Sequence, residues 1–116
     1  LVMEDDCCLG PFVDCGNADV ITLEKGSTVS QYSYLCTTSH DIDDPRMPVV
    51  TAPITIGAYA WVTARCFIGM GVKIGEGAVV GANSSVFRDI EPWSVVGGCP
   101  ATFIRVRKRS DLDEGT

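Results

Sequence analysis

Three features are scarce in this chain, and each scarcity argues against a class of protein. The 116 residues include one histidine, and although six are cysteines, no two form a CxxC pair. A zinc site built from this chain alone is therefore not expected. No apolar run is long enough to cross a membrane. Lysine and arginine number 9 against 15 aspartates and glutamates, and the net charge of −6 argues against a general nucleic-acid binder.

What the chain does have is a repeat of six residues. A branched aliphatic residue returns at every sixth place, at Ile56, Val62, Ile68, Ile74, Val80 and Val86. The residue two places before each is small or β-branched, as at Ala60, Cys66, Val72, Ala78 and Ser84. Six is a multiple of the strand period of 2 and does not match the helix period of 3.6, so both residues of a unit should point inward. Glycine often follows the aliphatic residue and relieves crowding. This is the sequence form of a parallel β-helix.

The repeat extends back toward the N-terminus. Its earlier aliphatic sites are Met3, Leu9, Cys15, Leu23, Val29 and Leu35. A step of twenty-one residues then separates Leu35 from Ile56, which predicts a loop at about 37–53. The prolines and aspartates of that loop argue against regular strand within it. The count gives twelve hexads, or about four triangular coils, in one domain at 1–109, followed by a disordered tail at 110–116.

The two ends of the repeat carry separate expectations. Nothing polar or helical caps the first hexad, so the chain either lacks an N-terminal segment that relatives possess or is capped by association. The start is acidic and shows no signal peptide. After Val86 the repeat stops, and the alternation of apolar and polar residues at 102–107 predicts a short edge strand.

The unbroken hexads, with His40 in the long loop and Trp61 in the hexad that follows, resemble the hexapeptide-repeat acyltransferases. Within them the chain is most similar to the maltose/galactoside and colanic-acid-biosynthesis O-acetyltransferases, over essentially its whole length. The resemblance implies an all-β, left-handed parallel β-helix with a protruding loop and a short C-terminal extension. The hand comes from the family, because periodicity alone does not give it. It also implies acetyl-CoA as co-substrate, a saccharide acceptor, no metal, and a homotrimer with sites between subunits.

His40 is the catalytic candidate that the resemblance implies. Histidine suits a general base near neutral pH because the unperturbed pKa of its side chain is ~6.5. Acetyl-CoA supplies an activated thioester, so direct transfer to a hydroxyl needs no covalent enzyme intermediate. Asp41 is a possible orienting partner for the ring, but as an immediate neighbour it can equally point away.

The resemblance also implies contacts for the coenzyme and the acceptor. The coenzyme candidates are Ala64, Ala82, Asn83, Phe87, Arg88, Thr102 and Arg105. Phe87 and Thr102 depart from the family pattern, because relatives usually have threonine and a basic residue there. The acceptor candidates are Asp14, Asn17 and Trp61, and Gly10 stands where galactoside-type relatives have asparagine. Each group has a plainer alternative. Ala64 and Ala82 could simply be small corner residues, and Trp61 an ordinary surface aromatic residue. The basic run near the C-terminus that includes Arg105 could be a solvated tail.

Other functions remain open at this point. A xenobiotic acetyltransferase of the chloramphenicol or streptogramin type would share the fold, the histidine and the coenzyme. A non-catalytic β-helix fragment would not bind acetyl-CoA. A γ-type carbonic anhydrase needs three zinc-binding histidines per site, which a single histidine per chain does not provide. The cysteines at inward places behave as small hydrophobic residues, which predicts free thiols and a cytoplasmic location.

Overall fold

The computed structural model describes residues 1–109, so the predicted disordered tail at 110–116 lies outside the described residues. The described part of the chain forms sixteen short strands. The strands are β1 (Val2–Met3), β2 (Cys8–Leu9), β3 (Asp14–Gly16), β4 (Ile21–Leu23), β5 (Thr28–Val29), β6 (Tyr34–Cys36), β7 (Thr38–His40), β8 (Val49–Thr51), β9 (Ile54–Ile56), β10 (Trp61–Val62), β11 (Phe67–Ile68), β12 (Lys73–Ile74), β13 (Val79–Val80), β14 (Ser85–Val86), β15 (Ser94–Gly98) and β16 (Ala101–Val106).

The strands wind into three parallel sheets that form the sides of a triangular prism. Sheet 1 has the order β1-β4-β9-β12, and sheet 3 has the order β3-β6-β11-β14. Sheet 2 has the order β2-β5-β10-β13-β15, with β16 added antiparallel at its edge. Each strand pairs with the strand of the next coil so that the aliphatic sites align, as in Leu35 beside Ile68 and Ile68 beside Val86. The all-β fold of about four stacked coils is therefore as predicted.

The inward places of the hexads form one continuous core. The aliphatic sites from Leu23 to Val86 are fully or almost fully buried, and so are the small residues two places before them. The hydroxyls of two buried serines donate to backbone carbonyls. Ser27 Oγ donates to the Glu24 carbonyl at 2.7 Å, and Ser33 Oγ donates to the Thr63 carbonyl of the next coil at 2.9 Å. The first coil is the end of the stack, and Met3, although in register, is 45% exposed there.

The long loop is a β-hairpin, so the expectation that it holds no regular strand is wrong. β7 and β8 pair antiparallel, with His40 opposite Val49. The prolines and aspartates that argued against strand lie in the tip, at 41–48, or after β8. The stems are rich in threonine, serine and valine, which fit extended backbone and pair with each other.

The coil also continues beyond Val86, where the strict spacing ends. Ile90 forms a parallel bridge with Ile74 of sheet 1, and Val96 pairs with Val80 in sheet 2. The step from Val86 to Ile90 is four residues, which shortens one corner without ending the winding. β16 then closes the edge of sheet 2 as the predicted short strand.

The corners show why glycine recurs in the repeat. The left-handed backbone conformation falls three residues after the aliphatic site, and it is occupied by non-glycine residues such as Tyr59 (φ 60°) as well as by Gly77 (φ 66°). The glycine directly after the aliphatic site has another role. A Cβ on Gly75 would lie 2.5 Å from the Pro92 nitrogen and 2.6 Å from the Ile90 carbonyl oxygen of the next coil. These glycines therefore allow consecutive coils to approach.

Departures from the six-residue step all lie at one edge of the prism, between sheet 3 and sheet 1, which we call edge 3–1. The three altered steps are Cys15 to Leu23, Leu35 to Ile56 and Val86 to Ile90. The hairpin with His40 is the longest of these insertions. The edge from sheet 2 to sheet 3, called edge 2–3, keeps a regular corner in its first four coils.

Candidate functional site

His40 is the last residue of β7, exposed on the hairpin that leaves edge 3–1. Its Nδ1 lies 2.8 Å from the Met47 carbonyl oxygen across the hairpin tip. A carbonyl only accepts hydrogen bonds, so the ring nitrogen must be the N–H donor in this contact. In the neutral ring the lone pair is then on Nε2, the nitrogen left free to accept a proton.

The hairpin tip is held by its own polar groups, and Asp41 belongs to this local set. The Asp41 carboxylate accepts from the Asp43 backbone N–H at 3.1 Å, so it braces the turn while the Met47 carbonyl holds the His40 ring. Hydrogen bonds from the Arg46 side chain and backbone N–H lower the pKa of the Asp44 carboxyl group. The tip thus presents His40 on a turn that is internally bonded.

A groove of about 300 Å³ runs between the hairpin stem and sheet 3. It is lined by Thr38, Ser39, Phe67, Gly69, Met70 and Phe87. The rings of Phe67 and Phe87 lie 5.8 Å apart. The structure therefore brings the candidate Phe87 onto the same edge as the strand that ends in His40. Arg88, the next candidate, is exposed at this edge.

The cysteine beneath the hairpin has a distinct environment. Burial opposes ionisation of Cys36, but hydrogen bonds with Tyr34 and Thr38 outweigh it, so the pKa of the Cys36 thiol lies below its ordinary value. Its Sγ lies 3.3 Å from the Thr38 carbonyl oxygen, and the side chain is 8% exposed. The thiol thus contacts the first residue of the hairpin stem, and the backbone of that residue is also held by its pairing with Thr51. All six cysteines are free thiols.

The candidates Ala64, Ala82 and Asn83 lie on edge 2–3. The Asn83 backbone N–H donates to the Ala64 carbonyl at 3.0 Å, which places the two corners directly above one another. Ala82 and Asn83 are exposed, and Ala64 is half-buried. The small alanine side chains leave the corner backbone open to an extended ligand lying along the edge.

Sheet 2 carries a second groove, of about 280 Å³, that brings together Trp61 and Arg105. Its other lining residues are Val79, Val95, Arg107 and Lys108. The Trp61 indole N–H donates to Ser30 Oγ at 2.8 Å, and this fixes the ring against the sheet. Arg107 is anchored by bonds of 3.2 Å and 3.1 Å to the Tyr59 and Gly77 carbonyls. Arg107 belongs to the basic run near the C-terminus, but sequence reasoning did not predict these contacts, which join residues distant in sequence.

The remaining candidates lie apart from these grooves. Asp14 begins β3 in the first coil of sheet 3, beside Tyr34 of the next coil, and Asn17 follows at edge 3–1. Thr102 is exposed on β16, with its hydroxyl 3.5 Å from the Gly97 carbonyl oxygen. A single chain thus distributes the candidates over edge 3–1, edge 2–3, sheet 2 and sheet 3. Sequence reasoning also missed Met47, because a backbone acceptor leaves no residue-type signal.

Two further findings apply to the described residues only. No helix among residues 1–109 combines the length and apolar character needed to cross a membrane. In the same range, no three histidine, cysteine, aspartate or glutamate side chains are grouped so as to hold a metal ion.

The stacked coils of the six-residue repeat define the class of hexapeptide-repeat β-helix proteins. No protein-family model matches the chain. WcaF of Escherichia coli K12, named as a colanic acid biosynthesis acetyltransferase, is 39% identical over 111 residues. The match covers 96% of this chain and 61% of WcaF, so the chain spans less than two thirds of that relative. An Escherichia coli chloramphenicol acetyltransferase is 46% identical over 52 residues, which are 45% of this chain and 25% of that enzyme.

Solved structures of acyltransferases share the fold. AntD, an N-acyltransferase from Bacillus cereus crystallised with a dTDP-amino sugar and coenzyme A, superposes with a TM-score of 0.81 at 20% identity, over 97% of this chain and 73% of AntD. A maltose O-acetyltransferase from Clostridium difficile 630 gives 0.76 at 20% identity, over 93% and 70%. The Vibrio cholerae acetyltransferase VCA0836 with acetyl coenzyme A gives 0.72 at 26% identity, over 90% and 70%. The β-helix is left-handed, as predicted, and the chain is similar in sequence to WcaF and in fold to solved hexapeptide-repeat acyltransferases.

Proposed function

We propose that the protein transfers an acetyl group from acetyl-CoA directly to a hydroxyl group of a saccharide, with His40 as the general base. The observation that carries the proposal is the contact of His40 Nδ1 with the Met47 carbonyl, which leaves Nε2 as the proton acceptor. A base must have its lone pair directed outward, and the hairpin supplies an exposed ring with a fixed tautomer.

In the proposed step, the oxygen of the acceptor hydroxyl bonds to the carbonyl carbon of the acetyl group, and His40 Nε2 accepts the proton that this oxygen releases. The thioester of acetyl-CoA supplies an activated acetyl group with a thiolate leaving group. The imidazolium of His40 then has a proton to return to that sulfur. The Met47 carbonyl holds Nδ1–H throughout, and this keeps the ring from rotating away.

The residues present fit an extended, anionic coenzyme. Ala64 and Ala82 leave two consecutive corners of edge 2–3 open to the pantetheine arm, because neither side chain extends beyond Cβ. Arg105 and Lys108 line the groove on sheet 2 and would offset phosphate charge there. Because the candidates lie on different sides of one prism, we propose a homotrimer in which His40 of one copy acts beside the coenzyme groove of the next.

His40→Ala tests the base. A positioned base typically contributes about 10²–10⁴ in rate, so kcat for acetyl-CoA turnover with a saccharide acceptor should fall by that order. The affinity for acetyl-CoA, measured by calorimetry, should stay within about twofold because the groups assigned to hold the coenzyme are Ala64, Ala82 and Arg105, and His40 is assigned only to the proton transfer. Cys36→Ala is the matched control from the hairpin base and should retain nearly full kcat.

Two results would contradict this mechanism. Full activity in His40→Ala together with loss in Cys36→Ala would indicate a covalent thiol route. If the wild type does not bind acetyl-CoA, the result would favour a non-catalytic β-helix. The acceptor panel should contain sugars, amino sugars and chloramphenicol, because local identity to a chloramphenicol acetyltransferase makes a xenobiotic acceptor the second candidate.

We place the reaction in the cytoplasm, where six free thiols stay reduced.

A further inference from the structure

The tip of the hairpin that carries His40 consists of two turns, and both contain Asp44. In the first turn the Asp44 backbone N–H donates to the Asp41 carbonyl at 3.3 Å, and in the second the Met47 N–H donates to the Asp44 carbonyl at 2.8 Å. The Asp41 N–H also donates to the Pro48 carbonyl at 3.0 Å, which closes the tip. The path of the chain through the second turn therefore starts from Asp44.

The Asp44 side chain holds the second turn. Its Oδ1 accepts from the Arg46 backbone N–H at 2.9 Å, and the Arg46 guanidinium donates to the two carboxylate oxygens at 3.2 Å and 3.0 Å. Aspartate in the first place and proline, here Pro45, in the second are residues that such a turn favours. The Arg46 side chain is 88% exposed, so its ion pair with Asp44 contributes little. The bond from the carboxylate to the backbone N–H is then the main restraint.

The second turn ends at Met47, whose carbonyl accepts from His40 Nδ1 at 2.8 Å. Met47 has φ 46°, in the left-handed region that residues other than glycine seldom adopt. The backbone dihedral angles at Met47 set the direction of its carbonyl. A change of Met47 to an ordinary backbone conformation would turn the acceptor away from the ring. The contact with His40 thus depends on the turn that Asp44 holds.

We infer that Asp44 is a positioning residue for His40, because its carboxylate holds the turn that directs the Met47 carbonyl at Nδ1. The Met47 carbonyl in turn keeps the proton on Nδ1 and the lone pair on Nε2. The Asp41 carboxylate has a different place, since it accepts from the Asp43 N–H in the first turn, which does not contain Met47. The use of the orientation in catalysis rests on the proposed function, whereas the orientation itself does not.

The test is the tautomer of the His40 ring in the full chain, measured from the nitrogen chemical shifts of the imidazole by NMR at a pH well above the ordinary pKa of histidine. His40 is the only histidine in the sequence, so its signals need no assignment. The wild type should be mainly the Nδ1–H tautomer. In Asp44→Ala the ratio of the Nδ1–H to the Nε2–H tautomer should fall about threefold to tenfold, the range expected for one lost hydrogen bond.

Three control variants separate the bond to the backbone from the loss of charge. Asp44→Asn keeps a side-chain oxygen that can accept from the Arg46 N–H, and Arg46→Ala keeps the carboxylate and the backbone N–H, so both ratios should stay within about twofold of the wild type. Asp43→Ala removes the same charge from the same tip, where the bond of Asp43 is made by its backbone N–H, and should change nothing. A wild-type ratio in Asp44→Ala would overturn the inference, and so would an equal fall in Asp43→Ala.

Amide hydrogen exchange distinguishes positioning from a general loosening of the hairpin. In Asp44→Ala the Met47 amide should exchange faster, because the turn that contains its bond is no longer held. The Asp41 amide should exchange as in the wild type, because its bond to the Pro48 carbonyl lies outside the second turn. Equal acceleration at Asp41 and Met47 would mean that the whole tip opens, which would overturn the positioning role.

Kinetics connect this inference to the proposed function. Asp44→Ala should lower kcat about threefold and leave the KM for acetyl-CoA within about twofold, because Asp44 is assigned no coenzyme contact. If the tautomer ratio falls in Asp44→Ala while His40→Ala keeps full activity, the proposed function fails and the positioning of the ring stands. If His40→Ala loses activity while the tautomer ratio is unchanged in Asp44→Ala, the proposed function stands and this inference fails.

Discussion

Ile68 lies at the centre of the core, aligned between Leu35 and Val86 in sheet 3, and is fully buried. Truncating a buried isoleucine costs about 2–5 kcal/mol, and an uncompensated buried charge costs about 3–5 kcal/mol. Ile68→Asp combines both effects, because the surrounding core consists of aliphatic residues and Cys66, and the Ser33 hydroxyl already donates to the Thr63 carbonyl. At about 0.05–0.15 kcal/mol per residue, 116 residues give a total stability of roughly 6–17 kcal/mol. The variant should therefore lose about 5–10 kcal/mol, which unfolds the protein unless its stability lies in the upper part of that range.

The assay is urea denaturation followed by far-ultraviolet circular dichroism at several protein concentrations, because an oligomer is stabilised by its own concentration. Ala58→Asp is the matched control. Ala58 lies at an outward corner place and is half-buried, so the free energy of unfolding should change by about 0.5 kcal/mol or less. Equal effects of the two aspartates would show that the inward register is wrong.

Two further predictions concern the corners and the assembly. The Trp93 ring lies against the position that a Cβ on Gly77 would occupy. In a double-mutant cycle of unfolding free energies, Gly77→Ala should therefore destabilise the wild type more than it destabilises the Trp93→Ala variant. Equal costs in the two backgrounds would mean that only the φ of 66° at Gly77 matters. Static light scattering at micromolar concentration should give the mass of a trimer, and a monomer at that concentration would contradict the proposed shared site.

The core was predictable because a period of six residues fits the alternation of a strand and does not fit the period of a helix. Alternation within a strand fixes which residues point inward, so Ile68 and Cys66 could be placed in the core from spacing alone. The hairpin was not predictable by the same logic. Its prolines and aspartates indicate turns, but composition averaged over 37–53 hides that they cluster at the tip. The continuation to Ile90 was missed because a corner of four residues breaks the spacing while the winding goes on.

The role of His40 stays a prediction, and it came from the family resemblance, because a lone histidine in a loop is by itself an ordinary surface residue. The structure shows an exposed ring on a braced turn. The group that orients it is a backbone atom, the Met47 carbonyl oxygen, and every residue type carries such an acceptor, so no residue-type signal marks the position. Arg107 likewise bonds to carbonyls 30 and 48 residues away, and no local pattern indicates such distances. Contacts between coils depend on how the corners stack.

Because every altered step lies at edge 3–1, this edge can change in length while the other two edges keep the core in register. Insertions and deletions there leave the inward ladder in phase, because the chain re-enters sheet 1 at the same place whether a corner has lost two residues or gained fifteen. A longer loop adds little closure entropy, and a hairpin satisfies its own backbone groups. The β-helix therefore acts as a constant scaffold, and edge 3–1 is the place where loops of different length can be inserted. A different hairpin grafted between Leu35 and Ile56 should give a folded protein with different chemistry.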